Sequence, residues 1–133
     1  MKNVKLINLK KAVNEGILVF GEGLKEIPFV IKRVYYIFDV PNKAVRGRHA
    51  HRTLDQFLIC VRGSLKILVD DSIKKEEIIL DSPFVGMYLG PGVWHEMYDF
   101  SSDALLLVLA AEHYDEKDYI RKYDEFIKYK KGE

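Results

Sequence analysis

The chain is predicted to be an all-β protein, a sandwich or closed barrel carrying one C-terminal α-helix. Two observations lead there. Short stretches rich in β-branched and aromatic residues recur along most of the sequence, with turn signals between them. Only near the end does the apolar spacing change from strand to helix period. With 133 residues and 48% hydrophobic content, the chain is expected to form one domain, residues 1–133, with a real core.

Strands are expected over residues 17–20, 31–40, 56–61, 65–69, 76–80, 85–89, 94–100 and 105–110, and residues 4–9 are apolar enough for another. Pro41-Asn42, Arg62-Gly63, Asp70-Asp71-Ser72, Ser82-Pro83 and Gly90-Pro91-Gly92 supply the turns. Along residues 31–40 the two faces differ in chemistry. Val34, Tyr36 and Phe38 share one face and suit packing against a helix or a partner. Arg33 and Tyr35 share the other and suit a polar cavity. From 118 to 129, Tyr119, Tyr123, Phe126 and Ile127 fall on one side at helical intervals, with Asp115 as a cap. A helix is predicted there, packed on the outside of the barrel. Its basic end, Lys128-Tyr129-Lys130-Lys131, reads as a solvated terminus favoured by the helix dipole.

Composition narrows the function classes. A formal charge of +1 leaves no global field to attract nucleic acid or a membrane surface. An anionic ligand must then be held by a local set of arginines or lysines. The single cysteine, Cys60, permits no internal disulfide and fits a reducing compartment; inside an apolar strand it reads as an inert thiol. The start lacks the apolar stretch of a signal peptide, and the longest apolar run, 104–111, is too short to span a bilayer. A soluble cytoplasmic protein is expected.

Chemistry concentrates in Arg46-Gly47-Arg48-His49-Ala50-His51-Arg52. On a strand, His49 and His51 point to the same face. Each imidazole can ligate a metal or move a proton near neutral pH. With Gln56, Gly63 and Gly90-Pro91-Gly92-Val93-Trp94-His95, the layout resembles the two sequence motifs of the cupins, small jelly-roll β-barrels with the site inside. Metal-binding cupins usually carry Glu where this chain has Gln56, and a neutral amide is a much weaker ligand. Three readings of the histidine pair follow. It is a solvated pair on an edge strand, or a metal site completed by His95 and Gln56, or an acid–base pair working without metal. The flanking arginines favour the third, since guanidinium groups oppose a second cation and match phosphate geometry.

Longer matches sharpen this. Ile27-Pro28-Phe29, the run from Lys32 through Asp39, Arg46-Gly47-Arg48-His49-Ala50-His51 and the run from Gly90 through Met97 closely resemble the dTDP-sugar 3,4-ketoisomerases. Tyr114-Asp115-Glu116-Lys117-Asp118-Tyr119-Ile120-Arg121 followed by Tyr123-Asp124 resembles them too, so the match covers nearly the whole chain. The resemblance implies a metal-free, cofactor-free cupin, typically dimeric. It implies conversion of dTDP-4-keto-6-deoxyglucose to a 3-keto isomer, on routes to dTDP-linked 3-amino-3,6-dideoxysugars of lipopolysaccharide or S-layer glycans. The family's catalytic histidines fall on His49 and His51, and its active-site tyrosine on Tyr35. Substrate binding falls to Arg33 and Arg46 on the diphosphate. His95 sits where the family varies with the C4 configuration of the product. One departure is Val13-Asn14-Glu15-Gly16-Ile17-Leu18, where the family often reads Asp-x-Arg-Gly-x-Leu. Glu15 thus takes a position that is usually Arg or another ligand-contacting residue, and is counted among the substrate-binding candidates.

The implied reaction removes a proton from C3, beside the C4 ketone, and returns one to C4. His49 is the leading candidate for the carbon base, with His51 and Tyr35 serving protons at O3 and O4 or orienting the base. Two other functions stay open at this stage: a metal-dependent cupin enzyme using His49, His51, His95 and Gln56, and a sugar-nucleotide-binding cupin without catalysis. A symmetric homodimer is expected, its N-terminal strand paired at home or exchanged onto the partner's sheet.

Overall fold

The computed structural model describes residues 1–132. Its strands are β1 (Val4–Asn8), β2 (Lys10–Val13), β3 (Ile17–Phe20), β4 (Arg33–Phe38), β5 (Arg46–His51), β6 (Gln56–Arg62), β7 (Leu65–Asp70), β8 (Lys75–Leu80), β9 (Val85–Leu89), β10 (Trp94–Tyr98), β11 (Leu105–Ala110) and β12 (Tyr119–Ile120). One helix, α1 (Tyr123–Lys130), follows them. The strands form two five-stranded sheets, ordered β1-β9-β6-β11-β4 and β12-β5-β10-β7-β8, with β2-β3 as a separate two-stranded sheet. All these pairings are antiparallel. This is the expected all-β jelly-roll barrel with a single C-terminal helix.

Alternation along each strand builds the core. On β7 the side chains of Leu65, Ile67 and Val69 are buried, and on β11 those of Leu106 and Val108, whereas Lys66, Leu68, Leu105, Leu107 and Leu109 beside them are only partly so. With Leu58, Met87, Leu89 and Phe100 they fill the space between the sheets. β6 is buried from Gln56 through Cys60 because it lies between β9 and β11. Cys60 is wholly buried, and burial pushes its thiol up to about 11, as an inert core residue requires. Gly86 lets β9 cross β6 closely, since a Cβ there would lie 2.1 Å from the Phe57 ring.

β4 has the two faces the sequence implies. Arg33, Tyr35 and Ile37 turn inward, whereas Val34, Tyr36 and Phe38 stand exposed on the outer surface. The strand is shorter than residues 31–40, and Asp39, with φ of 56°, ends it.

The C-terminal segment corrects the expected helix over 118–129. Asp115 caps a single 3₁₀ turn, Glu116–Asp118, by accepting a hydrogen bond from the Lys117 amide at 3.0 Å. Tyr119 and Ile120 then extend as β12 against β5, opposite His51 and Ala50. The helix begins only at Tyr123. The free edge of β5 offers backbone partners to a β-prone Tyr-Ile pair, and those bonds win over another helical turn. Phe126 carries the helix onto the barrel by packing with Trp94, Ile120 and Ala50.

The N-terminal strand pairs at home: β1 runs beside β9 of the same chain, with Val4 opposite Leu89 and Asn8 opposite Val85. The β2–β3 hairpin forms a sheet of its own, with Val19 packed against a cluster that includes Leu9, Phe57 and Ile59. Its strand β2, with Lys10 and Lys11, was not among the expected ones.

Candidate active site

β5 places the histidines through a bulge. His95 of β10 lies opposite His49, but the next β10 residue, Glu96, lies opposite Gly47, so Arg48 is the unpaired extra residue. Gly47 and Arg48 both have positive φ, 84° and 58°. A Cβ on Gly47 would come within 3.0 Å of the His95 carbonyl oxygen, so glycine is required there. Strict alternation would put Arg46 and His49 on opposite faces. The bulge instead sets both in the wall of one cavity.

That cavity holds about 230 Å³ and is walled by Arg33, Tyr35, Arg46, His49, His95 and Tyr119, among others. A second, of about 360 Å³, is walled by Arg33, His51, Thr53, Tyr114, Asp118 and Tyr119, among others. Arg33 and Tyr119 belong to both. The ring centroids of His49 and His51 are 5.0 Å apart, and those of His49 and His95 4.6 Å. The Tyr119 ring leans on both members of the pair, 4.8 Å from His49 and 4.5 Å from His51. Arg33 lies 5.5 Å above the centre of the Tyr35 ring, and its buried Nε has no protein partner. An unpaired buried guanidinium donor is costly, and an anionic ligand would satisfy it.

Burial sets the protonation states. It pushes His49 down to about 4, helped by Arg121 and opposed by the Gly47 backbone. Burial also takes His51 down to about 4; His49 and Arg33 add to the fall while Asp118 opposes it. His95 is driven well below its ordinary value by burial and by the other two imidazoles. All three are neutral at pH 7. The His95 Nδ1 lies 3.3 Å from the Val93 carbonyl oxygen, which can only accept, so the proton is on Nδ1 and Nε2 offers its lone pair. Tyr35 is raised to about 12, first by burial, so it remains a phenol. Gln56 Nε2 donates to the Tyr35 oxygen at 2.7 Å, leaving the phenolic proton free for something else.

Of the residues singled out in the sequence, Tyr35, Arg33, Arg46, His49, His51 and His95 come together around these two cavities. Glu15 does not. It sits in the exposed turn between β2 and β3 and lines neither cavity. Sequence reasoning missed Asp118 and Tyr119, because both were assigned to a helix. The Asp115–Asp118 spacing of a capped turn and the β-prone Tyr119-Ile120 pair were the available signals.

The family model described as "FdtA: WxcM-like, C-terminal" matches residues 2–131. The chain belongs to this family. It is 56% identical over 126 residues to a curated TDP-4-oxo-6-deoxy-alpha-D-glucose-3,4-oxoisomerase of Aneurinibacillus thermoaerophilus, covering 94% of this chain and 91% of the relative. The crystal structure of QdtA, a sugar 3,4-ketoisomerase from Thermoanaerobacterium thermosaccharolyticum in complex with TDP, matches with a TM-score of 0.95. That match has 49% identity and covers 98% of this chain and 96% of QdtA. A histidine-to-asparagine mutant of QdtA in complex with TDP-4-keto-6-deoxyglucose gives a TM-score of 0.96 at 47% identity, over 99% and 96% of the two chains.

In this FdtA-type chain the metal reading has little to rest on. The nitrogens of His49, His51 and His95 lie within 4.8 Å of one another, a loose set for a small ion that needs bonds near 2 Å. The fourth position holds Gln56, a neutral amide and a weaker ligand than a carboxylate, turned so that its Nε2 donates to Tyr35. Arg33 and Arg46 add positive charge to the same wall.

Proposed function

We propose that the protein is a metal-independent dTDP-sugar 3,4-ketoisomerase that converts dTDP-4-keto-6-deoxyglucose to a 3-keto-6-deoxyhexose. The observation that carries this reading is a pair of uncharged imidazoles beside a free phenolic proton, in a chain 56% identical to an oxoisomerase of that sugar nucleotide. The catalytic residues are His49, His51 and Tyr35. Arg33 and Arg46 hold the diphosphate, and His95 contacts the sugar.

The chemistry follows from these states. His49, neutral at working pH, takes the C3 proton that the C4 ketone acidifies. Tyr35, held as a phenol with its oxygen already accepting from Gln56, gives a proton to O4 as negative charge builds there. The intermediate is an enediol. Tyr35 then recovers a proton from O3, with His51 supporting the transfer, while His49 returns its proton to C4. Hydroxyl and carbonyl have changed places, every protein group is back in its starting state, and no net redox change has occurred.

A homodimer is part of the same proposal. The hairpin β2–β3 and the outer face of β4 expose Val13, Ile17, Leu18, Tyr36 and Phe38, apolar surface of the kind an interface covers. Exchange, if it accompanies dimerisation, belongs to this hairpin, and it would carry Glu15 onto the partner. The chain acts as one domain, in line with a family match from 2 to 131. A cytoplasmic location suits a nucleotide-sugar enzyme of this kind, and no described helix is long and apolar enough to cross a membrane. No nucleic-acid role is proposed. Downstream use in 3-amino-3,6-dideoxysugars of surface glycans is the pathway we assign.

Incubation with dTDP-4-keto-6-deoxyglucose in deuterated water, followed by NMR of the sugar, tests the reading. Conversion to the 3-keto isomer is expected, unchanged after exhaustive chelation, with deuterium at the former carbonyl carbon only in those turnovers in which the proton on His49 exchanges with solvent before its return. Absence of both exchange and conversion overturns the activity. Loss on chelation, restored by one metal, overturns metal independence.

A further inference from the structure

His49 and His51 look equivalent in the sequence, yet only one of them has a carboxylate behind it. Asp118 Oδ2 lies 3.3 Å from His51 Nδ1, in contact though not aligned as a full hydrogen bond. His49 Nδ1 is buried and has no partner. His51 Nε2 is also buried without a protein partner. The carboxylate is itself held rigidly. Its Oδ1 accepts from the Thr53 amide at 2.9 Å and the Thr53 hydroxyl at 2.7 Å, and its Oδ2 accepts from the Leu54 amide at 3.2 Å. The turn that ends β5 is thereby tied to the 3₁₀ turn before β12, and Tyr119 next in chain stands against both imidazoles.

From this arrangement we infer that Asp118 is a positioning residue that fixes His51 with its Nε2 lone pair toward the sugar hydroxyls, so that His51 relays the hydroxyl proton while His49 carries the carbon proton. With Asp118 as its neighbour, His51 carries its own proton on Nδ1 and offers the Nε2 lone pair to the mobile proton of the sugar hydroxyls. When Nε2 is protonated, the imidazolium finds a fixed counter-charge, and the loose contact tightens as such contacts do once substrate is bound. His49, with no carboxylate in contact and with Arg121 acting against its charge more strongly than Glu116 supports it, is suited to a brief visit by the carbon proton and its quick return. The groups facing His51 are His49, His95, Arg33, Tyr119 and Asp118; Asp118 alone among them carries negative charge.

The inference rests on the ketoisomerase reading for its kinetic consequence but not for its structural one. Asp118→Asn keeps the shape and an acceptor for Thr53 while removing the charge. Turnover should fall by about 100-fold, the scale of one lost acid–base contribution, with KM within threefold of the parent. The His51 imidazole, followed by ¹⁵N NMR, should protonate at lower pH, with a larger displacement than that of His49, whose charge it repels. In the parent protein the same spectra should show the His51 proton on Nδ1. This readout needs neither turnover nor a folded variant, so an inactive parent would sink the ketoisomerase reading and leave the dyad standing. A parent His51 protonated on Nε2 overturns the inference. So does an Asp118→Asn protein with parental kcat, or one that loses stability and activity while its His51 titration stays where it was.

Discussion

The two faces of β4 make opposite demands on the rest of the molecule. Arg33 and Tyr35, on the inner face, stand in a small polar cavity with a guanidinium nitrogen and imidazole nitrogens left without protein partners. Val34, Tyr36 and Phe38, on the outer face, are more than half exposed, as are Val13, Ile17 and Leu18 of the hairpin β2–β3. A single chain satisfies neither. The inner face lacks something anionic and hydrogen-bonding, and the outer face lacks apolar cover. In the proposed reading, six consecutive residues thus serve both a ligand and a partner, because side chains on a strand alternate and the two sides can be read independently.

The largest expected effect lies on the inner face. Replacing His49 or His51 with Asn keeps polarity and approximate size but removes the titratable base. Turnover should fall by roughly 100-fold or more in each case, whereas thymidine diphosphate should bind nearly as before. Steady-state kinetics with calorimetric binding would separate the two. Normal turnover in both variants would mean that the chemistry lies elsewhere. The proposed dimer, which rests on the outer face, should be unaffected in either.

The outer face should answer in the other sense. Tyr36→Asp or Phe38→Asp places a charge where apolar cover is expected. Loss of one aromatic anchor at an interface costs about 2 kcal/mol, or ~30-fold in the dimer dissociation constant. Sedimentation equilibrium at micromolar concentration should show the doubly substituted chain as a monomer. A parent that is itself monomeric, or a double variant that remains fully dimeric, would show that this face is not the interface.

The same contrast explains what could be read from the chain. Strand faces were legible wherever period-2 alternation is undisturbed, so β4 and the His49–His51 pair came out on the sides expected. Arg46 beside His49 has no basis in alternation; it depends on the bulge formed by Gly47 and Arg48, a backbone event with two positive φ angles that only Gly47 hinted at. Asp118 and Tyr119 were hidden for a different reason. Their spacing from Tyr123 and Phe126 mimics a helix, and what decides against it is the unpaired edge of β5, a tertiary partner absent from any local window. On the other face, β2 was hidden because two lysines interrupt its apolar pattern. Glu15 was singled out by family position, and it lies at the hairpin tip, away from both cavities of its own chain.

The smallest effect separates the two faces by pH. His49 and His51 titrate near 4 in the folded protein but at the ordinary value of 6.5 when unfolded. Their folded values are depressed, so the unfolded state binds more protons between those limits and stability falls as pH drops from about 6.5 towards 4. At pH 6 the loss should be about 1 kcal/mol or less per histidine, a few degrees in melting temperature for a chain of this length. Because the two imidazoles repel each other's charge, the melting temperature reports their titrations together. The outer face has no such group: the remaining histidine, His113, lies in the wall of the second cavity. The dimer dissociation constant should therefore stay constant between pH 7.5 and 6 while the melting temperature declines. Calorimetry and sedimentation across that range test the pair of statements together. A melting temperature flat from pH 7.5 to 5 would mean that the imidazoles are not desolvated in the folded protein, and their neutrality at working pH, on which the proton transfers depend, would lose its physical cause.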